Sequence, residues 1–479
     1  MNTTQKILKN TLSLLMSGLL AQLLGFIVIV YLARVLAPED FGKVSFALAV
    51  VTYFTLIVNM GLPLLGTRET ARDLGKIKIY AGNILTMRLC LAAISFGLLL
   101  LMTFFLNKSP EIKYLIILYG LGLIPSALLL DWAFQGIEKM EYIGIGRILS
   151  RLVYLGLVIW FVKNPRQLLF IPCFQVIGSL LGAGVLFLIF LHGFGKPKCR
   201  FDLNLWKSLL KPALPIGASI LMIQIIYNID MVMLGFMRSN AEVGYYSAAY
   251  KIILPLIMAG AVYFDAIFPV ISNYYNTSLD LLKKIQSYSA RIIVSIALPL
   301  GVGGTILAKP IMNFVYGSKY NDGIIAFKVL IWVVAMIYMN CIYARGMWAC
   351  NKQKEYLIIV TIQALTNIGL NLILIPSIGI AGAALSTVSA EILGFFFYYR
   401  EFNKVVTVTI HNHIQRPLLA VIPMALGLLW GLNKLNMNVF LLIFTGIVVY
   451  FGFLLLLKDI SRNEIKLIYN LLVTNQKQK

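Results

Sequence analysis

The chain has 479 residues, of which 60% are hydrophobic and only 13% charged, and its mean hydropathy of +0.86 excludes an ordinary soluble domain. Its net charge of +22 comes from 41 Lys and Arg against 19 Asp and Glu, a surplus that in a soluble protein would point to nucleic acid. Here the surplus falls in alternate gaps between stretches long enough to cross a bilayer, so it marks membrane topology and excludes a nucleic-acid partner.

A bilayer core needs about 20 apolar residues per helix. Such stretches begin at residues 11–35, where Lys6 and Lys9 precede the apolar run as in a signal peptide. The run is too long for a signal's hydrophobic region and the charged turn PEDFGK leads straight into another span, so this segment is expected to remain in the protein. Further helices follow at 44–62, 81–106, 114–133, 145–162 and 168–191, then at 210–235, 245–270, 290–308 and 326–348. The last four cover 357–376, 378–399, 417–432 and 439–457. Pro125, Pro172, Pro215, Pro255 and Pro299 each remove a helical donor and mark candidate bends. Trp132, Trp160, Trp206, Trp332 and Trp348 lie near predicted span ends, where interfacial anchoring accounts for them. The expected fold is all-α, a polytopic membrane protein of about 14 transmembrane helices. Counted in and at the edges of the gaps, Lys and Arg number 28 on the side of the two chain ends and 11 on the other. The basic side resists translocation, which places both termini in the cytoplasm and the protein in the cytoplasmic membrane.

The chain also repeats itself. At an offset of about 202 residues, Leu32 meets Leu234, Asp40 meets Glu242, Gly42 meets Gly244, Ser45 meets Ser247 and Ala47 meets Ala249. Six spans separate the copies, so both enter the membrane in the same direction, and two parallel six-helix lobes around a central cavity are expected. The first lobe covers residues 1–200 and the second 201–402; residues 403–479 add a terminal helix pair and a basic tail.

Several segments carry a resemblance. LLGFIVIVYLARVLAPEDFGKVSFA near the amino end, LLLDWAFQGIEKMEYIGIGRIL at 128–149, YNIDMVMLGFMRSNAEVGYYSAAYKI at 227–252, FVYGSKYNDG at 314–323 and GIAGAALSTVSAE at 379–391 resemble the Wzx-type polysaccharide repeat-unit flippases. These belong to the multidrug, oligosaccharidyl-lipid and polysaccharide exporter superfamily. The resemblance implies a two-lobed flippase that moves isoprenoid-diphosphate-linked glycans from the cytoplasmic to the outer leaflet, working beside glycosyltransferases and a polysaccharide polymerase.

Ionisable residues inside spans cost at least ~2.5–3.5 kcal/mol on insertion scales and usually face a wet cavity or a partner. Arg88, Arg147, Arg151, Arg291 and Arg345 lie within about two turns of cytoplasmic helix ends. They are either a vestibule for a lipid diphosphate, which guanidinium binds bidentately, or topology markers that snorkel to headgroups. Arg147 and Arg151 are four residues apart and share a helix face. At the outer side Arg34, Asp230 and Lys251 form either a structural lock or a gate. Asp131, Asp265 and Glu391 are candidates for carrying a coupling ion, or they are fixed partners of neighbouring arginines. Cys90, Cys173, Cys199, Cys341 and Cys350 lack metal-ligand spacing, and His192, His411 and His413 have no acid partner nearby. Without Walker A, HExxH or GxSxG sequences, nothing points to catalysis or to a cofactor. A multidrug antiporter would want an apolar cavity with one or two acids, and a membrane polymerase or ligase a large outer loop. No outer gap here exceeds about 20 residues.

Overall fold

The computed structural model describes residues 3–198, 203–435 and 437–457, and every regular element among them is helical. The chain divides into two compact units, Met1–Gly244 and Tyr245–Lys479. The first holds α1 (Thr3–Val35), α2 (Pro38–Asn59), α3 (Leu62–Arg72), α4 (Ile77–Phe105), α5 (Pro110–Gly120), α6 (Leu123–Leu128), α7 (Asp131–Gly136), α8 (Met140–Phe161), α9 (Phe170–Phe194) and α10 (Leu203–Met237). The second begins within α11 (Asn240–Thr277) and continues through α12 (Leu279–Ile306), α13 (Ala308–Tyr316), α14 (Ile324–Ala349), α15 (Gln353–Asn403), α16 (His411–Lys434) and α17 (Val439–Leu456).

Helices occupy all fourteen predicted spans, and their ends follow local chemistry. Pro38 opens α2 where its missing N–H costs nothing, with Glu39 and Asp40 in the positive first turn. The Ser278 and Asn438 side chains cap α12 and α17 by accepting from the Leu281 and Leu441 amides. At the other end of α10, Lys108 Nζ donates to the Gly235 carbonyl at 2.5 Å and lies 5.9 Å from the Phe46 and Phe236 rings. Large apolar side chains face outward, Trp160 and Phe104 each 77% exposed, as lipid contact requires.

Two elements depart from simple spans. The predicted helix over 114–133 is broken into α5, α6 and α7, with breaks at Leu121–Gly122 and Leu129–Leu130. Broken backbone at membrane depth must find donors from elsewhere in the protein. By contrast, α15 is 51 residues long, about 75 Å at helical rise and more than twice the hydrocarbon thickness. It is interrupted at Ile378 and Gly379, the latter at φ 59° and ψ −131°, a conformation glycine alone adopts readily, three residues after Pro376. Across that break Gln363 meets Glu391, Asn367 meets Thr387 and Gly382 meets Leu374. The two arms, 353–377 and 380–403, are therefore antiparallel, and α15 is a hairpin of two predicted spans.

In the first unit α8 packs along α1 and α9, and α2 along α4, α5 and α10. Its core gathers Leu62, Ile84, Trp132, Phe134, Leu186 and Phe190. Trp132, expected at the interface, is 1% exposed and lies against Gly66, because α7 is wedged onto α3 rather than ending at the headgroups. In the second unit α14 packs on α12 and on both arms of α15, while α16 and α17 close over α12.

Candidate functional site

The first unit's charged site is built on the short helix α7. The Thr67 hydroxyl of α3 lies 3.1 Å from the Trp132 carbonyl and 3.2 Å from Gln135 Oε1. Glycines let the two helices touch: a methyl group at Gly66 would come within 2.5 Å of the Trp132 ring, and one at Gly136 within 2.7 Å of Thr70. This docking fixes Asp131 at the start of α7. From α8, Arg147 aims both Nε and Nη2 at Asp131 Oδ2, at 3.2 and 2.9 Å. The Arg147 side chain is 42% exposed and the Asp131 side chain 15%, so the pair sits at the edge of the protein interior. Arg151 follows one turn later on α8 and is exposed.

Arg88 approaches from α4 and is wholly buried. Its Nη1 donates to the Leu129 carbonyl at 2.8 Å, and its Nη2 donates to Asn59 Oδ1 at 2.6 Å and to the Ser126 carbonyl. These carbonyls are the ones freed where α6 stops short of α7. Arg88 thus supplies the donors that the broken backbone needs, and it lies within electrostatic reach of Asp131, as Arg147 does. Sequence placed Arg88, Arg147 and Asp131 in separate categories; the structure brings them into one cluster of two arginines around a carboxylate.

The second unit holds a polar seam inside the α15 hairpin. Gln363, Asn367 and Asn371 repeat at four-residue spacing along the first arm, and Thr387, Glu391 and Tyr398 face them from the second. Glu391 is 6% exposed. Asn340 of α14 donates to Glu391 Oε2 at 2.6 Å and to its carbonyl at 3.0 Å; Gln363 Nε2 is 3.3 Å from the same Oε2, and the Tyr398 hydroxyl donates to Gln363 Oε1 at 3.0 Å. Gly394 makes room for Gln363, since a methyl group there would fall 2.0 Å from its nitrogen. Asn340, Gln363 and Asn367 were not singled out by the sequence reading, although an amide every fourth residue within an apolar span is a signal of a buried helix-to-helix seam.

Arg34 ends α1 and is exposed, and Asp230 is buried in α10; both belong to the first unit, whereas Lys251 lies half-buried on α11 in the second. Arg291 on α12 and Arg345 on α14 are half-buried. Asp265 is on α11, but its side chain lies outside the described residues. The second unit also contains an apolar cavity of about 470 Å³ between α12, α13, α16 and α17, walled by residues such as Leu300, Phe314, Met424, Phe440 and Ile447, with no charged side chain in its lining.

A family model described as polysaccharide biosynthesis protein matches residues 7–275. A candidate O-antigen transporter of Escherichia coli (strain K12) is 25% identical over 379 residues, covering 78% of this chain and 90% of its own length. Another from Shigella dysenteriae is 27% identical over 325 residues, 65% of this chain and 78% of that one. Among solved structures, the lipid II flippase MurJ in an inward closed conformation superposes with a TM-score of 0.72 at 18% identity, covering 91% of this chain and 97% of that one. An inward-facing multidrug resistance MATE family transporter of the MOP superfamily gives 0.64 at 15% identity, covering 80% and 95%. At these identities the structural likeness fixes the fold. The family match covers more than half of the sequence and begins near its amino end, and on that ground the chain belongs to the polysaccharide biosynthesis protein family.

Proposed function

We propose that this multi-pass membrane protein is a flippase. It carries isoprenoid-diphosphate-linked oligosaccharide units from the cytoplasmic to the outer leaflet of the cytoplasmic membrane during surface-polysaccharide synthesis. The single observation that carries this reading is the Arg147–Asp131 pair with Arg151 one turn away. A partly exposed ion pair contributes only about 0–1 kcal/mol, so Arg147 can exchange Asp131 for a better acceptor at little cost. A diphosphate is such an acceptor, because its oxygens take parallel N–H donors from guanidinium groups. The cluster sets two cations, Arg88 and Arg147, against Asp131, and Arg151 one turn along α8 adds a third, a surplus suited to a doubly charged diphosphate. Arg88 serves here as the wall behind the site and Arg147 and Arg151 as its contacts. The excess of basic residues on one side supports cytoplasmic termini, and with them a site that faces the leaflet where the lipid-linked unit is made. The names of the relatives support the same cargo class.

The test replaces Arg147 and Arg151 together by Gln in a complementation assay for surface glycan. Loss of glycan at normal membrane abundance is expected. Normal glycan in the double variant would overturn the assignment. The apolar cavity of the second unit favours a second reading, a multidrug antiporter of the same superfamily. Cationic-dye efflux from cells, insensitive to the Arg147 and Arg151 substitutions, would establish that reading instead.

A further inference from the structure

Glu391 is a carboxyl group that the flippase site does not use. Asp131 has the Arg147 guanidinium bonded to it and Arg88 within electrostatic reach, whereas Glu391 has amides: among the described residues no Lys or Arg forms an ion pair with it, and its partners are Asn340 and Gln363. The helix packed along α15 is α14, whose Cys341 and Arg345 lie, with Glu391, within electrostatic reach of Tyr356. Tyr356 and Tyr398 belong to α15 itself. Tyr398 reaches Glu391 through Gln363.

An ionised carboxylate this deep, without a cation beside it, would bear a desolvation penalty of several kcal/mol, while a protonated one is a neutral hydrogen-bonding group. The surroundings serve both forms. Two amide N–H groups point at Oε2 for the ionised state. Asn340 Oδ1, buried and without a partner among the described residues, is an acceptor for the O–H of the acid. A hard metal cation would want oxygens turned toward it, but Asn340 and Gln363 turn nitrogen toward the carboxyl.

We propose that Glu391, with Asn340 and Gln363, is a reversible proton-binding site of the second unit, through which a proton gradient drives the transport cycle. A proton from water on one side is taken up on a carboxylate oxygen and released to water on the other. Coupling rests on the transport reading above; the proton site does not. Infrared difference spectra of the purified full-length protein, taken between acidic and alkaline buffer, are the test. A protonated-carboxyl band should appear on acidification, disappear in Glu391→Gln, and be unaffected by sodium at fixed pH. A band that persists in E391Q, or that sodium removes, would overturn the proposal. Should that variant fail to fold, wild-type protein grown with carboxyl-labelled glutamate decides the matter. The buried carboxyls of the described residues are Asp230 and Glu391, so a titrating band that exchanges slowly in deuterated water, as exposed carboxyls do not, supports Glu391 if labelled glutamate shifts it and refutes it if only labelled aspartate does. Proton binding without glycan transport in liposomes would instead sink the flippase reading and leave the site standing.

Discussion

Replacing Arg88 by Met should damage the fold before it damages transport. Two acceptors, the Leu129 carbonyl and Asn59 Oδ1, would lose the guanidinium, while the Ser126 carbonyl keeps a bond from the Leu129 amide at 3.4 Å. Each buried acceptor left without a donor costs about 1–3 kcal/mol, or about 2–6 kcal/mol for the two. Removing Arg88 also removes a buried cation whose Nε has no partner among the described residues, which offsets part of that loss. The net effect is a destabilisation of about 2–4 kcal/mol, a fall in unfolding temperature of roughly 4–16 °C for a unit of this size. Thermal unfolding of the detergent-purified protein, with membrane abundance measured in parallel, checks this. The control is Arg147→Gln, whose partly exposed ion pair should cost at most about 1 kcal/mol and leave abundance unchanged. If Arg88→Met unfolds at the wild-type temperature and reaches the membrane normally while transport is lost, then Arg88 binds cargo directly and the tether argument is wrong.

Cysteine-accessibility labelling of single-cysteine variants should place Lys43 and Lys319 outside and Lys139, Lys198 and Lys404 inside; outward-only labelling at 198 would reverse the assigned orientation. Glu111→Gln removes one of the carboxylates around Lys43, 2.8 Å away, but Glu111 is exposed and Lys43 keeps Asp40 at 3.0 Å, so stability should change by less than about 1 kcal/mol and surface glycan not at all. Gly42→Leu and Gly244→Leu should each cost more than the usual overpacking penalty of about 1–3 kcal/mol, because the obstacle is rigid backbone: a methyl group would fall 1.7 Å from the Asn240 carbonyl oxygen in the first case and 1.9 Å from that of Pro38 in the second. Retention of wild-type abundance by either variant would show that these helix starts can separate freely.

Span positions were legible because length and hydropathy are all that a lipid-exposed helix needs. The breaks around Leu129 were not, since the run Leu128–Leu130 is uniformly apolar and carries no turn residue, and the compensating donor comes from Arg88, some 40 residues earlier in sequence. The Arg147–Asp131 pair, 16 residues apart, could be suspected from composition but not assigned, because it forms only where the turn after α7 brings α8 back against it. Glu391 stood out as an acid within a span. Its amide partners did not, because Asn340 and Gln363 come from separate segments and become neighbours only when α14 packs on the α15 hairpin.

The meeting of Gly42 with Asn240 and of Gly244 with Pro38 has a symmetry of its own. At the repeat offset, Pro38 corresponds to Asn240 and Gly42 to Gly244, so each contact is the image of the other. Reciprocal contacts of this kind are what a two-fold homodimer makes, where one patch serves both faces. A gene that doubled and fused would inherit such a joint ready-made. In such a chain the two copies of the patch would be free to mutate separately, yet here neither glycine can be enlarged without meeting backbone: Gly42 that of Asn240 and Gly244 that of Pro38. Ancestral reconstruction of a single repeat as a free-standing chain would therefore start from this joint as the place where two copies hold together.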